Sequence, residues 1–460
     1  MTGVDGGAPL RWFLGLTQFL MILDTAILNV AVPVIGTELA MSPAAETWVL
    51  NAYVVAFGGL LLVGGSIADT LGHGRVLVVG LVVLALGAGI GALAHSGAVL
   101  IASRALQGAG AAMAAASAMA LVFSRYSGGA RRKTLGLFAS MAGFGGAVGT
   151  ALSGLLTEYW GWRATFWVNA VAAAVLVVWA CRLQGFFMSG RQRQLSVLGG
   201  LLITVALAST AYAITSTSDG GAGAHTAAAG LLAATTAAMF IVRERRSSNP
   251  LIGRAIWRIP PLLRALLLAG VGQWVLVPVF LFISLYLQRV LGYEPLIAGL
   301  ALLPMSVIIF LVAPLAPPVI ARWGVAPVMA AAFLLVAAAG AWLTQVSVDG
   351  SFLTDVLGPT LLLAFGLPLV SISTNLMTAE NAPAQDPGTT SGLLTTTQQF
   401  GATLGLASWV AIAATGPTSN LQDLAEGHAR AFLVAAVAMA LAALGAMYRP
   451  RHTARPLPGP

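Results

Sequence analysis

Apolar residues run in long blocks separated by short polar or Gly/Pro-containing links, and fourteen of these blocks are long enough to cross a bilayer. They cover approximately residues 12–34, 48–68, 76–94, 98–123, 134–157, 164–183, 195–216, 225–243, 263–287, 296–318, 325–345, 353–379, 390–415 and 429–448. A hydrocarbon core about 30 Å thick needs about 20 mostly apolar helical residues, and in lipid every backbone polar group must find a partner within the span. The pattern predicts an all-α membrane protein with 14 transmembrane helices. The first block is too long for the apolar stretch of a cleaved signal and carries an aspartate, so it is expected to remain as a helix.

The links divide the chain. After eight blocks comes RERRSSNPLIGRAIWR, from Arg243 to Arg258, the most charged segment, with Trp257 as a candidate interfacial anchor. A basic, Pro-rich tail closes the chain and is expected to be disordered. The expected organisation is a six-helix bundle over 1–183, a two-helix insert over 184–243, a cytoplasmic basic linker over 244–262, a second six-helix bundle over 263–448, and a tail over 449–460. A weak internal echo supports two sixes. SIADTLGHGRVL after the second block and PVIARWGVAPVM after the tenth share a Gly and a nearby Arg, as in transporters built from two six-helix halves around a central site.

Composition agrees with lipid as the main solvent, since 58% of the 460 residues are hydrophobic and 8% charged, against roughly 25% charged in soluble domains. A net charge of +8 would suggest nucleic acid only if the basic residues formed one patch. Instead, an even number of spans puts both termini on one side, and placing them in the cytoplasm gathers most of the 23 Lys and Arg residues there, as the positive-inside rule requires. Only Lys133 among these is lysine, and Ala and Gly abound, a bias of high-GC bacterial genomes. The expected location is a bacterial inner membrane, with lipid as a partner and no nucleic acid. Cys181, the single cysteine, permits no internal disulfide and is expected to be a small core residue.

One acidic residue lies deep inside a block: Asp24, in FLMILDTAILNVAVP. A carboxylate at a helix centre costs roughly 2.5 to 3.5 kcal/mol on insertion scales, which marks it as a functional candidate, although simple hydrogen bonding to neighbouring helices would also accommodate it. At 100° per residue Asp24 shares a face with Thr17, Met21, Leu28 and Ala31, beside a polar stripe of Gln18, Thr25 and Asn29, while Phe19, Leu23, Ala26 and Val30 lie opposite. Asp24 is therefore expected to face a wet cavity inside the bundle. Arg104 is the one basic residue away from the ends of a block, on a face with Gln107 and Gly108. Its depth differs from that of Asp24 by roughly 6 Å at 1.5 Å per residue, within reach of a guanidinium; the alternative is a snorkelling arginine. Movement that changes the carboxylate's burial or its distance from the arginine would load or unload a proton.

The fifth block holds Gly143, Gly145, Gly146, Gly149 and Gly154, with a GxxxG from Gly145 to Gly149 that suits close helix packing. Polar or aromatic residues within blocks give the cavity candidates Gln18, Asn29, Asn51, Tyr53, Gln273, Trp274 and Asn375. His73, His95, His225, His428 and His452 fall in links, block edges or the tail, so no metal site is expected, and no phosphate-cradling loop is present. A membrane-embedded transferase would need a cluster of nucleophile, base or metal ligands. The expected protein is a transporter with no cofactor beyond a proton gradient.

LDTAILNVAVP from Leu23 to Pro33, GSIADTLGHGR from Gly65 to Arg75, and RALQGAG from Arg104 to Gly110 resemble signatures of the major facilitator superfamily, specifically its fourteen-span drug:proton antiporter family. WGWRATFWVN, ERRSSNPL, LYLQRVLGYEPLIAGLALLP and SGLLTTTQQFGATLG are similar to further family segments. The resemblance implies two six-helix bundles plus an insert, proton-driven export of a drug or antibiotic-like metabolite, a proton-coupling role for Asp24 and Arg104, and gating or packing roles for Gly65, Asp69, Gly72, Arg75, Gln107, Gly108, Gly149 and Gly154. Thr70 and His73 replace basic residues of the loop motif, and Ala26 a Thr of the first-span motif. GTALSG has Thr150 where the family's antiporter motif has Pro and Ser153 where it has Gly, which keeps an importer or uniporter of the same fold as an alternative. The resemblance further implies a neutral, anionic or singly charged substrate, since family members that export multivalent cations tend to carry extra acidic residues in their helices and here only Asp24 lies deep in a block.

Overall fold

The structure, a computed structural model, describes residues 7–126, 128–183, 197–219, 223–246, 259–382, 387–415 and 420–447, and the regular elements among them are helical. They are α1 (Ala8–Ala26), α2 (Ala31–Glu38), α3 (Pro43–Leu71), α4 (His73–Ala92), α5 (Gly97–Arg125), α6 (Gly128–Trp160), α7 (Arg163–Arg182), α8 (Val197–Thr215), α9 (Ala224–Arg246), α10 (Pro260–Leu285), α11 (Pro295–Val312), α12 (Ala316–Trp323), α13 (Val325–Leu343), α14 (Leu357–Glu380), α15 (Pro387–Ala413) and α16 (Leu421–Met447). A π-turn, Tyr286–Val290, continues α10.

Among the described residues, eleven helices are long and apolar enough to cross a membrane, and twelve if α1 and α2 are one broken span. The expected count of fourteen is thus only partly met. α6 and α15, at 33 and 27 residues, match a span in length but lie outside that number. In α15 the run Thr395, Thr396, Thr397, Gln398, Gln399 lowers the hydropathy.

Other boundaries also differ from the apolar pattern. The first block is not one helix, because residues 27–30 form turns between α1 and α2, whose axes differ by 51°. The last helix begins at Leu421, so His428 sits inside it and is buried rather than at an edge. Cys181 is exposed near the end of α7, not a core residue. Residues 184–196 and 220–222 of the two-helix insert, 247–258 of the basic linker and 449–460 of the tail lie outside the described residues.

Two apolar cores organise the packing. One contains Phe13 and Leu14 of α1, Leu77, Leu81 and Leu84 of α4, Val122 of α5 and Leu176 of α7. The other contains Phe282 of α10, Met305 of α11, Phe333 of α13, Leu367 of α14, Trp409 of α15 and Phe432 of α16. A third cluster joins the groups, placing Ile27, Leu28, Ile35 and Val49 against Leu281, Leu285 and Leu406. The groups also meet where α6 packs on α11 and α3 on α15, and α8 packs on both α3 and α15. The internal echo has a backbone counterpart. Gly72 between α3 and α4 has φ 99°, and Gly324 between α12 and α13 has φ 86°, a region open to glycine but unfavourable for residues with a Cβ.

Candidate functional site

Asp24 lies in the last turn of α1, just before the break, and is fully buried. Arg104 of α5, also fully buried, donates from Nη1 to Asp24 Oδ1 at 3.1 Å and to Oδ2 at 3.0 Å. The arginine that sequence spacing placed within reach therefore makes the contact. Gln107, one turn further along α5, donates from Nε2 to Oδ1 at 3.2 Å and accepts from Arg104 Nη1 at 2.8 Å. Asn169 of α7 donates to the same Oδ1 at 2.7 Å. Arg104 Nε reaches the Val49 carbonyl of α3 at 3.1 Å, and its guanidinium carbon stands 4.4 Å from the centre of the Tyr53 ring, where the ring face attracts a cation.

This coordination explains how a charge pair persists away from water. A buried ion pair is tolerable only when extra hydrogen bonds satisfy the remaining lone pairs and protons. Among the described residues Oδ1 has three donors, whereas Oδ2 has Arg104 alone. Arg104 Nη2 is buried with no hydrogen-bond partner among the described residues. The site thus retains acceptor capacity on Oδ2 and a donor on Arg104 that no other described group takes up. In this conformation Asp24 is sealed on all sides and does not face a wet cavity, contrary to the helical-wheel expectation. The α1 face holding Asp24 is instead covered by α5 and α7.

Glycines let these helices approach. A Cβ on Gly108 would come within 2.3 Å of the Tyr53 carbonyl, bringing α5 against α3 beside the ion pair. On the other side of α1, a Cβ on Gly145 would meet the Phe19 carbonyl at 2.7 Å and one on Gly149 would meet Ala26 Cβ at 2.8 Å, so the GxxxG packs on α1 next to its break. Gly154 fills a different role, lying against Pro295 and Gly299 of α11.

The two departures in the fifth-span motif have defined contacts. Ser153 Oγ donates to the Ile27 carbonyl in the break. Thr150 Oγ1 donates to Gly146 O at 2.8 Å and accepts from Ser306 of α11 at 3.2 Å. Gly65 makes only ordinary contact with Ala116, Gly72 supplies the positive-φ corner, and Arg75 is exposed. The side chain of Asp69 lies outside what the structure describes.

The cavity candidates do not form one site. Tyr53 belongs to the ion-pair cluster. Asn29 is buried at the α1–α2 break and Gln18 half-buried. Asn51 is fully buried, and neither of its amide atoms has a hydrogen-bond partner among the described residues. In the second group, Gln273 lines a cavity of about 10 Å³ with Gly272, Ser371, Thr374 and Gln398, which is room for roughly one water. Asn375 is exposed and accepts from Gln398 Nε2 at 2.9 Å. Trp274 Nε1 donates to Ser408 Oγ at 2.8 Å.

Sequence reasoning missed Asn169, Gln398 and the positive role of Ser153. Asn169 and Gln398 each stood in a recognised segment, but nothing in their spacing singled them out. Among the described residues no group of three or more His, Cys, Asp or Glu could hold a metal.

The chain thus has the apolar helices of a multi-span membrane protein, with a buried, hydrogen-bonded charge pair beside a helix break inside its first group of helices. The Major Facilitator Superfamily profile matches residues 14–406, and the chain belongs to that superfamily. Among its relatives, the cephamycin export protein CmcT of Amycolatopsis lactamdurans is 35% identical over 92% of this chain and 88% of its own length. The puromycin resistance protein pur8 of Streptomyces alboniger is 32% identical, with 96% and 91% covered. A crystal structure of a POT family transporter in complex with 5-aminolevulinic acid shares the fold, with a TM-score of 0.71 at 13% identity and 96% of each chain covered.

Proposed function

We propose that the chain is a proton-coupled antiporter that exports a small lipophilic drug or antibiotic-like metabolite by alternating access. In this proposal it spans the bacterial inner membrane fourteen times, with both termini cytoplasmic, as two six-helix bundles and a two-helix insert, and acts as a monomer without a cofactor. The observation that carries it is the sealed cluster of Asp24, Arg104, Gln107 and Asn169 beside a helix break. Such a cluster changes protonation only when the surrounding helices move, which ties proton exchange to conformation. The names of the two relatives, an export protein and a resistance protein, support outward transport. The contacts of Thr150 and Ser153 with α11 and α1 support a working fifth span despite its altered motif.

The driving force suffices. One charge crossing 100 mV releases about 2.3 kcal/mol, and with about 1.4 kcal/mol per tenfold ratio, one proton exchanged for one neutral molecule sustains roughly a 40-fold gradient. The test is uptake of a candidate antibiotic into inverted vesicles energised with a proton gradient. Wild type should accumulate it and Asp24→Asn should not, at equal membrane insertion; uphill accumulation by Asp24→Asn at the wild-type level would overturn the proposal.

A further inference from the structure

The break between α1 and α2 is held from both groups of helices at once. Ser153 of α6 reaches the Ile27 carbonyl, whereas Gln288, in the π-turn after α10, donates to the Val30 carbonyl at 3.1 Å and to Ser284 Oγ at 2.9 Å. The next residue, Arg289, pairs with Glu46 in the first turn of α3. The side chain of Glu46 is 7% exposed and that of Arg289 28%. Room for Glu46 exists only because Gly36 of α2 has no side chain, since a Cβ there would fall 2.0 Å from Glu46 Oε1. Two consecutive residues thus connect the second group to the break that follows the helix bearing Asp24 and to the helix whose Val49 carbonyl holds Arg104. Single π-turns of this kind recur at functional sites.

We infer that Gln288 and Arg289 are positioning residues that transmit the state of the Asp24 cluster to the opposite helix group, by clamping the broken segment and α3 while the outer side is closed. When the cluster rearranges, residues 27–30 and α3 shift, the clamp releases, and the outer side parts along the apolar cluster of Ile27, Leu28, Leu281 and Leu285. This rests on the proton-coupled reading above. Arg104 and Tyr53 are the charged and titratable side chains facing Asp24. At the clamp they are Glu46, Arg289 and, behind Arg289, His428.

The test uses the full chain in right-side-out proteoliposomes with Cys181→Ala and a reporter, Leu285→Cys, at a buried seam position. A membrane-impermeant maleimide outside reads opening, in acid and in alkaline buffer. The parent should label slowly at a rate that follows pH, and Asp24→Asn should lose the pH response. Arg289→Ala and Gln288→Met should label about tenfold faster, the effect of about 1.4 kcal/mol, with no pH response. Glu46→Arg combined with Arg289→Glu should restore slow, pH-dependent labelling, which a misfolded protein would not. The inference is overturned if the clamp variants keep the parent's rate or pH response while Asp24→Asn loses it, or if the charge swap restores nothing. A parent whose labelling ignores pH would overturn the proton-coupled reading itself, and this inference with it.

Discussion

The two groups of helices bury polar groups in opposite ways. The first encloses an ion pair, Asp24 with Arg104, and spends Gln107, Asn169, the Val49 carbonyl and the Tyr53 ring on supporting it. The second encloses an aromatic cluster in which Phe282 packs edge-on to Trp409 at 5.1 Å and to His428 at 5.3 Å, with Phe432 beside them. There Trp409 Nε1 and His428 Nε2 are buried with no hydrogen-bond partner among the described residues. The contrast separates two tasks. A networked charge pair can change charge state when its shell moves, whereas a packed aromatic core supplies shape and rigidity but little response to protons.

The largest effect should come from removing one member of the pair. Arg104→Ala leaves Asp24 as an uncompensated buried charge, which costs about 3–5 kcal/mol and should both lower the melting temperature in detergent and abolish uphill transport. Pairing it with Asp24→Asn should recover most of the stability and none of the coupling. Trp409→Ala should cost a similar amount, about 3–5 kcal/mol for a large core aromatic, yet protein that survives purification should still couple protons to flux. Loss of coupling in that variant would erase the distinction between the groups.

Close helix approaches offer a matched pair of smaller effects. Gly108→Ala brings a Cβ to the Tyr53 carbonyl, and Gly401→Ala brings one to 2.0 Å from the Gly270 carbonyl. Each should cost about 1–3 kcal/mol of overpacking, measured by thermal unfolding, but only Gly108→Ala should also depress uphill flux. The smallest effect is expected for Ser153→Ala, about 0.5–1.5 kcal/mol for one hydrogen bond. It should appear as faster amide exchange at residues 27–30, with unchanged exchange around Trp409.

Span existence was legible because hydropathy is summed over some 20 residues and survives local irregularity. Boundaries and breaks were not. Pro33, which has no amide hydrogen for the Asn29 carbonyl, disfavours a continuous helix there, but the Ile27 and Val30 carbonyls are met by a Ser153 hydroxyl and a Gln288 amide that arrive from 126 and 258 residues away in the chain. Arg104 as the partner of Asp24 was legible, since few charges sit in lipid and depth can be counted along a helix. Asn169 was not, because an uncharged amide inside a span carries no comparable energetic mark.

What the amino-acid order alone determined was the solvent, the helical class, the identity of the paired charges and the glycine shared by the links at 72 and 324. Each follows from local or additive physics: transfer free energy per residue, the cost of a lone charge in hydrocarbon, and the steric limits of a single residue's backbone. Only the tertiary structure decided that Asp24 is sealed rather than wet, that α1 ends beside it, and that Gln288 and Arg289 meet the first group. Those facts depend on which distant helices share a face, and no sum over neighbouring residues contains that information.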